Sequence, residues 1–261
     1  MFVPFFIKHM ARKNTNTKAV AKSEPVATFF PTSERPGTLI IVEGCDGSGK
    51  STQLIILQKL LEANGFFCHH TEWNSNLLIK PLGKEIKKRD PHCPAVVFDL
   101  VFAADFMERY ITEIKGKLAA GMVVLCDRYM YTALARGYAR GLNVEDQRAF
   151  YDIFFPKPDL AFYFQLPVDV AAKRAIGRNP LKWYEAGMDM SFSDNIIDSF
   201  MQFQTRVIAG YDQAAQSDHL HIIDGTKPVY ETTPDVIRIT AEYFKKKYHV
   251  SLGSAMTAAA V

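Results

Sequence analysis

Short apolar runs alternate along most of the chain with longer stretches that repeat apolar residues at helical spacing. The runs have the length and β-branched content of buried strands, and the stretches between them are typical of amphipathic helices. Strands are predicted over residues 38–43, 66–71, 122–126, 160–166 and 219–223. Helices are predicted over residues 52–62, 95–120, 144–154, 195–213 and 234–247, with one more starting at 168. The alternation predicts an α/β fold, a three-layer sandwich in which helices cover both faces of a five-stranded parallel sheet.

A glycine-rich loop joins the first predicted strand to the first predicted helix and fits the pattern of Gly, four residues and Gly-Lys-Ser. Its candidate nucleotide-binding residues are Gly44, Asp46, Gly47, Ser48, Gly49, Lys50, Ser51 and Thr52. The glycines let backbone N–H groups face one oxyanion, and the N-terminus of the following helix adds its positive end. Lys50 would reach the outer phosphates, and Ser51 would bind a Mg²⁺ ion that bridges them. A glycine-rich turn with a chance lysine would need the whole pattern and both flanking elements to coincide, so the sequence predicts a P-loop.

Two charged residues follow the third predicted strand, at the end where open α/β sheets bind ligands. Asp127 could hold a Mg²⁺ shell or orient an attacking phosphate oxygen, and Arg128 could grip a phosphate with its planar fork. The alternative is that Asp127 caps the next helix while Arg128 pairs with a surface acid. Beside a phosphate loop the functional interpretation is favoured.

Composition narrows the functional class only modestly. The chain has 261 residues, 48% of them apolar, which suits one domain with a sizeable core. A net charge of +3 does not argue for a nucleic-acid partner, and no apolar run is long enough to cross a bilayer. The four cysteines show no Cys-x-x-Cys spacing, which favours a reducing, cytoplasmic location over a zinc site or a disulfide framework.

The ends of the chain are predicted to lie outside the folded domain. Residues 1–36 are polar and contain scattered prolines, so a disordered extension is expected before a P-loop domain at 37–248. An apolar start followed by basic residues reverses the order of a secretory signal; an organelle transit segment and a false start before Met10 stay open. A mobile flap is predicted at about 178–194, and a disordered tail at 249–261.

Several motifs occur here in the order seen in thymidylate kinases. They are Glu43 to Thr52, Phe102-Ala-Ala-Asp105, Asp127-Arg-Tyr129 with Thr132, Lys157-Pro-Asp-Leu160, Lys173-Arg174 and Ile223-Asp-Gly225. The resemblance covers roughly residues 37–248. It implies phosphoryl transfer from ATP and Mg²⁺ to thymidine monophosphate (dTMP), and usually a homodimer.

The resemblance also implies roles for individual residues. Lys50 and Ser51 would bind the ATP phosphates, Ser51 and Asp127 the metal, and Arg174 would lie over adenine. On the acceptor side, Phe102 would stack on the base. The full set implied for the acceptor is Asp46, Phe102, Phe106, Arg128, Thr132 and Arg136. The catalytic set is Lys50, Asp127, Arg128 and two flap cations, Lys182 and Arg178.

Four departures from the family pattern concern the acceptor and the catalytic cation. Phe106 stands where many members carry a base-reading arginine, and residues 72–76 lack a phosphate-binding arginine. Arg136-Gly137 replaces a Tyr-Gln pair, and Gly47 replaces a loop cation, so the flap must supply that charge. Because losing a donor to a base edge costs specificity, a smaller preference for thymine is expected.

Two classes of function therefore stay open from the sequence. One is a nucleoside monophosphate kinase, with dTMP the leading acceptor and another small phosphorylated acceptor as its rival. The other is a nucleotide-binding regulatory module that kept the fold and lost efficient transfer.

Overall fold

A computed structural model describes residues 36–73, 76–77, 79–177 and 180–253. Five parallel strands form one sheet, as predicted, and their order in the sheet is β2-β3-β1-β4-β5. The strands are β1 (Thr38–Glu43), β2 (Cys68–Glu72), β3 (Val123–Asp127), β4 (Leu160–Gln165) and β5 (His221–Asp224). β1 lies at the centre, and every one of its residues is buried, which explains why its sequence is continuously apolar up to Glu43.

Helices follow the strands in the predicted alternation. They are α1 (Lys50–Ala63), α2 (Ile79–Arg89), α3 (Ala95–Arg109), α4 (Lys115–Ala119), α5 (Met130–Ala139), α6 (Val144–Phe154), α7 (Val168–Ile176), α8 (Ile196–Asp218) and α9 (Val229–Tyr248). A π-helical turn, Tyr110–Ile114, joins α3 to α4, so the stretch predicted as one helix is nearly continuous. No helix in the described part of the chain is long and apolar enough to cross a membrane.

The two faces of the sheet bury separate cores. Alternate residues of β1 divide between them: Leu39 and Ile41 pack under α3, α5 and α8, whereas Ile40 and Val42 pack under α1 and α9. The predicted three-layer sandwich is therefore confirmed. The arrangement leaves the carboxyl ends of β1, β2 and β3 together at one edge, where the candidate site lies.

Three helices differ from the sequence prediction, and one of them, α5, was not among the predicted helices. α2 was not predicted, because Pro81 and Gly83 interrupt its helical signal and none of its residues is fully buried. α9 begins at Val229, five residues before the predicted start, and accommodates Pro234 in its second turn.

The predicted flap is irregular apart from a 3₁₀ turn, Met188–Met190, yet it packs closely on the domain. Tyr184 and Ala186 are buried, and Asp189 forms an ion pair with Arg140 of α5 at 2.8 Å. Gly253, in the described part of the predicted tail, donates its N–H to Asn64 Oδ1 at 2.8 Å. The extension 1–35 and residues 254–261 lie outside the described residues, so the domain limits remain predictions.

Candidate active site

The glycine-rich loop turns between β1 and α1 through backbone conformations that need glycine. Gly44, Gly47 and Gly49 have φ angles of 137°, 83° and 89°. In this region a β-carbon is strained, and Gly49 occupies the N-cap of α1. The predicted loop is thus present, with its open backbone N–H groups at a helix N-terminus.

Lys50 lies inside this loop rather than on the surface, since its exposure is only 6%. Its ammonium Nζ is 3.5 Å from the Cys45 carbonyl oxygen and 3.8 Å from Asp46 Oδ1. Burial, followed by the positive charge of Arg128, lowers the pKa of Lys50 to about 8. Ser48 Oγ is also buried and has no hydrogen-bond partner among the described residues. An anion in the loop would supply a partner for the Ser48 hydroxyl and a further one for the Lys50 ammonium.

Ser51 and Asp127 meet at the start of α1. The Ser51 hydroxyl donates to Asp127 Oδ2, because β1 and β3 are neighbours and Val42 lies opposite Asp127. An alcohol and a carboxylate are the hard oxygen ligands that Mg²⁺ takes together with substrate phosphates. No cluster of three His, Cys, Asp or Glu side chains forms a metal site in the described ranges. The donor set therefore fits a Mg²⁺ ion that relies on bound phosphate for its remaining ligands.

Arg128 reaches across to the loop from the residue after β3, with a left-handed φ of 72°. Its Nη1 donates to the Gly44 carbonyl and to Tyr211 Oη, both at 3.1 Å, and its Nη2 donates to Asp46. The charge of Arg128 holds the pKa of Asp46 well below its usual range. The acid that pairs with Arg128 is therefore Asp46, a residue of the loop. The structure thus brings together Arg128 and Asp46, which were both predicted as site residues.

Glu43, the last residue of β1, is a buried carboxylate that sequence reasoning did not select as a site residue. It accepts hydrogen bonds from the Tyr129 N–H at 2.8 Å, the Thr132 hydroxyl at 2.6 Å and the Tyr211 hydroxyl at 3.2 Å. Burial raises the pKa of Glu43 to about 7 despite these donors. Its position at the end of an apolar strand, directly before the loop, was the available signal. Glu43 fixes the turn from which Arg128 projects.

Thr132 belongs to the hydrogen-bonded group around Glu43 and does not line the cleft. It is fully buried, and its hydroxyl also contacts Tyr211 Oη at 2.8 Å. The Thr132 hydroxyl is shared between Glu43 and Tyr211, and its implied contact with the acceptor stays a prediction.

Arg174 of α7 is tied to the outside of the loop. Its Nη1 donates to the Gly47 carbonyl at 2.9 Å and to the Gly225 carbonyl at 2.8 Å. A β-carbon at Gly47 would meet Arg174 Cβ at 2.9 Å, so glycine is required there. Arg174 thus connects the loop with the exit of β5, and its role over adenine stays a prediction.

An aromatic cleft opens beside the loop. Phe102 of α3 is half-buried, and its ring centroid lies 4.7 Å from that of Trp73, which follows β2. The cleft is lined by residues that include Phe98, Asp99, Phe102, Arg136, Arg140 and Tyr184. Lys87 of α2 holds its ammonium 4.0 Å from the Tyr184 ring centroid, and burial lowers the pKa of Lys87 to about 8. Sequence reasoning found Phe102 and Arg136 but missed Trp73, Lys87 and Tyr184.

Phe106 does not line this cleft, which corrects the sequence prediction. Its side chain is 1% exposed and lies in the core against Tyr129, Tyr151 and Phe155. Trp73 covers it, with the two rings stacked at 5.4 Å. The indole of Trp73 therefore lies between the ring of Phe106 and that of Phe102, which lines the cleft.

The two flap cations are not placed alike. Lys182 lies on the surface with a 75% exposed side chain, and its ammonium pairs with Glu185 at 2.9 Å. Arg178 lies outside the described residues. That Lys182 or Arg178 supplies the catalytic cation therefore stays a prediction.

Comparison with known proteins agrees with this geometry. A family model described as thymidylate kinase matches residues 42–236. The chain is 35% identical over 209 residues to "Probable thymidylate kinase 2" of Saccharolobus solfataricus, covering 79% of this chain and 97% of that protein. It is 32% identical over 198 residues to "Thymidylate kinase" of Halothermothrix orenii, covering 73% and 90% respectively. It is 29% identical over 216 residues to "Probable thymidylate kinase" of Pyrococcus abyssi, covering 78% and 95%. The chain therefore belongs to the thymidylate kinase family.

Proposed function

We propose that this protein transfers the γ-phosphoryl group of ATP to dTMP, giving dTDP and ADP. One observation carries the proposal: Arg136, which lines the aromatic cleft, is close enough to Asp46 and Arg128 at the phosphate loop to interact with their charges. A phosphate-binding loop and a cleft that could hold a base are therefore neighbours. The names of the relatives, all thymidylate kinases, support dTMP as the acceptor.

On the donor side, the loop would bind the ATP phosphates through its backbone N–H groups and the ammonium of Lys50. Ser51 and Asp127 would hold Mg²⁺. When bound, this ion would neutralise negative charge on the phosphates during transfer of the γ-phosphoryl group. Because phosphoryl transfer depends on positioning and positive charge more than on a covalent group, Lys50 and Arg128 are the residues expected to govern the rate.

On the acceptor side, Phe102 and Trp73 would hold the base, and the Arg128–Asp46 pair would set the distance between the acceptor and the loop. The aromatic surfaces provide affinity with little discrimination between pyrimidines. Among the described residues of the cleft, Arg136, Arg140 and Lys87 are the cations that could read a base carbonyl or a phosphate.

The four departures from the family pattern favour one alternative activity within the class of kinases, in which the acceptor is a different small phosphorylated molecule. The specific observation is that Phe106 is buried behind Trp73, so it presents no donor to a base. A regulatory module with little transfer activity is the alternative outside that class. A homodimer, a cytoplasmic location and the absence of nucleic-acid and membrane partners are part of the proposal, on the family resemblance and the modest net charge.

The test is an ADP-release assay with ATP and Mg²⁺ over a panel of dTMP, dUMP, dCMP, dAMP and dGMP. The proposal predicts turnover with dTMP and a reduced preference over dUMP and dCMP. Turnover confined to another acceptor would change the substrate. Turnover with none of them, in protein that binds ATP, would support the regulatory alternative and refute the proposal.

A further inference from the structure

Arg136 stands on α5 between the aromatic cleft and the phosphate loop. Its guanidinium carbon lies 5.3 Å from the centroid of the Trp73 ring, and its side chain lines the cleft. It is also close enough to the loop for its charge to act on Asp46 and Arg128. The guanidinium therefore lies between the aromatic cleft, where a base could bind, and the phosphate loop.

The donors of Arg136 are uncommitted. Across the described residues, its guanidinium has no hydrogen bond or ion pair, only the contact with the Trp73 ring. The neighbouring arginines differ: Arg128 donates to Gly44, Thr132, Tyr211 and Asp46, and Arg140 is paired with Asp189. A guanidinium has five N–H donors, so Arg136 can offer several of them to a ligand in the cleft.

The electrostatic balance at this place calls for an anion. Burial and the charge of Arg128 lower the pKa of Arg136, while Asp46 opposes the shift. Asp46 forms ion pairs with Arg128 and Lys50, whereas it reaches Arg136 only through its charge. A phosphate monoester, which carries nearly two negative charges near neutral pH, would supply the balance and accept two parallel N–H bonds.

We infer that Arg136 binds the phosphate group of the acceptor monophosphate, with its flat face kept on Trp73 and its N–H donors turned to the phosphate oxygens. This assignment rests on the proposed function and deepens it. It gives Arg136 the part of the phosphate-binding arginine that residues 72–76 lack. Arg128, whose donors contact the loop, would hold Asp46 and the Gly44 carbonyl in place beside that phosphate, and its charge would still act on the transfer.

The test compares a nucleotide with the nucleoside that lacks its phosphate. Dissociation constants for dTMP and thymidine are measured by calorimetry on the wild type, Arg136→Gln and Arg136→Lys. Arg238→Gln, on the exposed face of α9, is the matched control. We expect Arg136→Gln to weaken dTMP binding by about 10- to 100-fold and thymidine binding by less than about twofold. Arg136→Lys should recover part of the dTMP affinity, since it restores the charge without the fork.

Two results would overturn the inference while leaving the proposed function standing. Equal losses for dTMP and thymidine would mean that Arg136 stacks on the base or contacts the sugar. Unchanged dTMP affinity in a folded Arg136→Gln protein would place Arg136 outside the site. If the wild type binds neither dTMP nor any other monophosphate of the panel, the proposed function fails, and this inference fails with it.

Discussion

The two halves of the candidate site are built differently. On the donor side, residues 44–51 form one continuous loop, and its charged groups already have partners in Asp127, Asp46 and Arg128. The acceptor cleft combines side chains from distant elements, among them Trp73, Phe102 and Tyr184. Two of its polar atoms, Trp73 Nε1 and Tyr184 Oη, are buried without a hydrogen-bond partner among the described residues.

The difference shows where local sequence determines function. A phosphate loop binds mainly through its backbone, so a short pattern of glycines with one lysine is sufficient to specify it. A cleft assembled from several elements binds through side chains whose neighbours are distant in sequence. Its selectivity can therefore change without any change in the loop.

The largest expected effect lies on the donor side. Replacing Lys50 with Ala removes the ammonium from the loop and should lower kcat by about 10³-fold. Because burial lowers the pKa of Lys50, its charge is unfavourable in the folded protein, so removing it should not lower the melting temperature by much. Lys59→Ala, on the exposed side of α1, is the matched control. Retained activity in Lys50→Ala would exclude the loop as the donor site.

On the acceptor side, Phe106 and Phe102 should separate stability from binding. Phe106→Ala deletes a buried ring and should cost about 3–5 kcal/mol of unfolding free energy with little effect on the KM for dTMP. Phe102→Ala should cost less stability and raise that KM about tenfold, since it removes a stacking surface. Chemical denaturation and initial rates on both variants check this. The reverse pattern would place Phe106 in the cleft.

Asp127→Asn tests the proposed role of Asp127 as a Mg²⁺ ligand on the donor side. The carboxylate charge matters most as the group is transferred, so kcat should fall by about 100-fold while ATP affinity changes by only a few-fold. Single-turnover rates and ATP binding, both measured over a range of Mg²⁺ concentrations, separate the two effects. A loss confined to ATP affinity contradicts the assigned role.

The smallest effect concerns Glu43, beneath the donor loop. Burial raises its pKa from 4.5 to about 7, so between these pH values the folded protein binds more protons than the unfolded chain. The unfolding free energy of the wild type should then fall as pH rises from about 4.5 to about 7, and stay level above that range. Relative to Glu43→Gln, the fall should amount to about 1–3 kcal/mol. A difference between the two proteins that does not vary with pH would show that Glu43 does not titrate there.

Much of this molecule followed from sequence patterns, and the misses have physical causes. The sheet and the loop were predictable because buried strands and phosphate loops have strong local signals. Phe106 was misplaced because helical spacing alone does not reveal that Trp73, more than thirty residues earlier, covers one side of its ring. Glu43 and Tyr211 were missed as a pair because their hydrogen bond joins residues 168 positions apart.

The most direct test of the account follows the phosphoryl group itself. ATP labelled at its γ-phosphate is incubated with dTMP, Mg²⁺ and either the wild type or Lys50→Ala, and the products are separated. The account predicts that the label appears in dTDP with the wild type and stays in ATP with the variant. Label released as inorganic phosphate, or label left in ATP by a wild-type protein that binds dTMP, would contradict it.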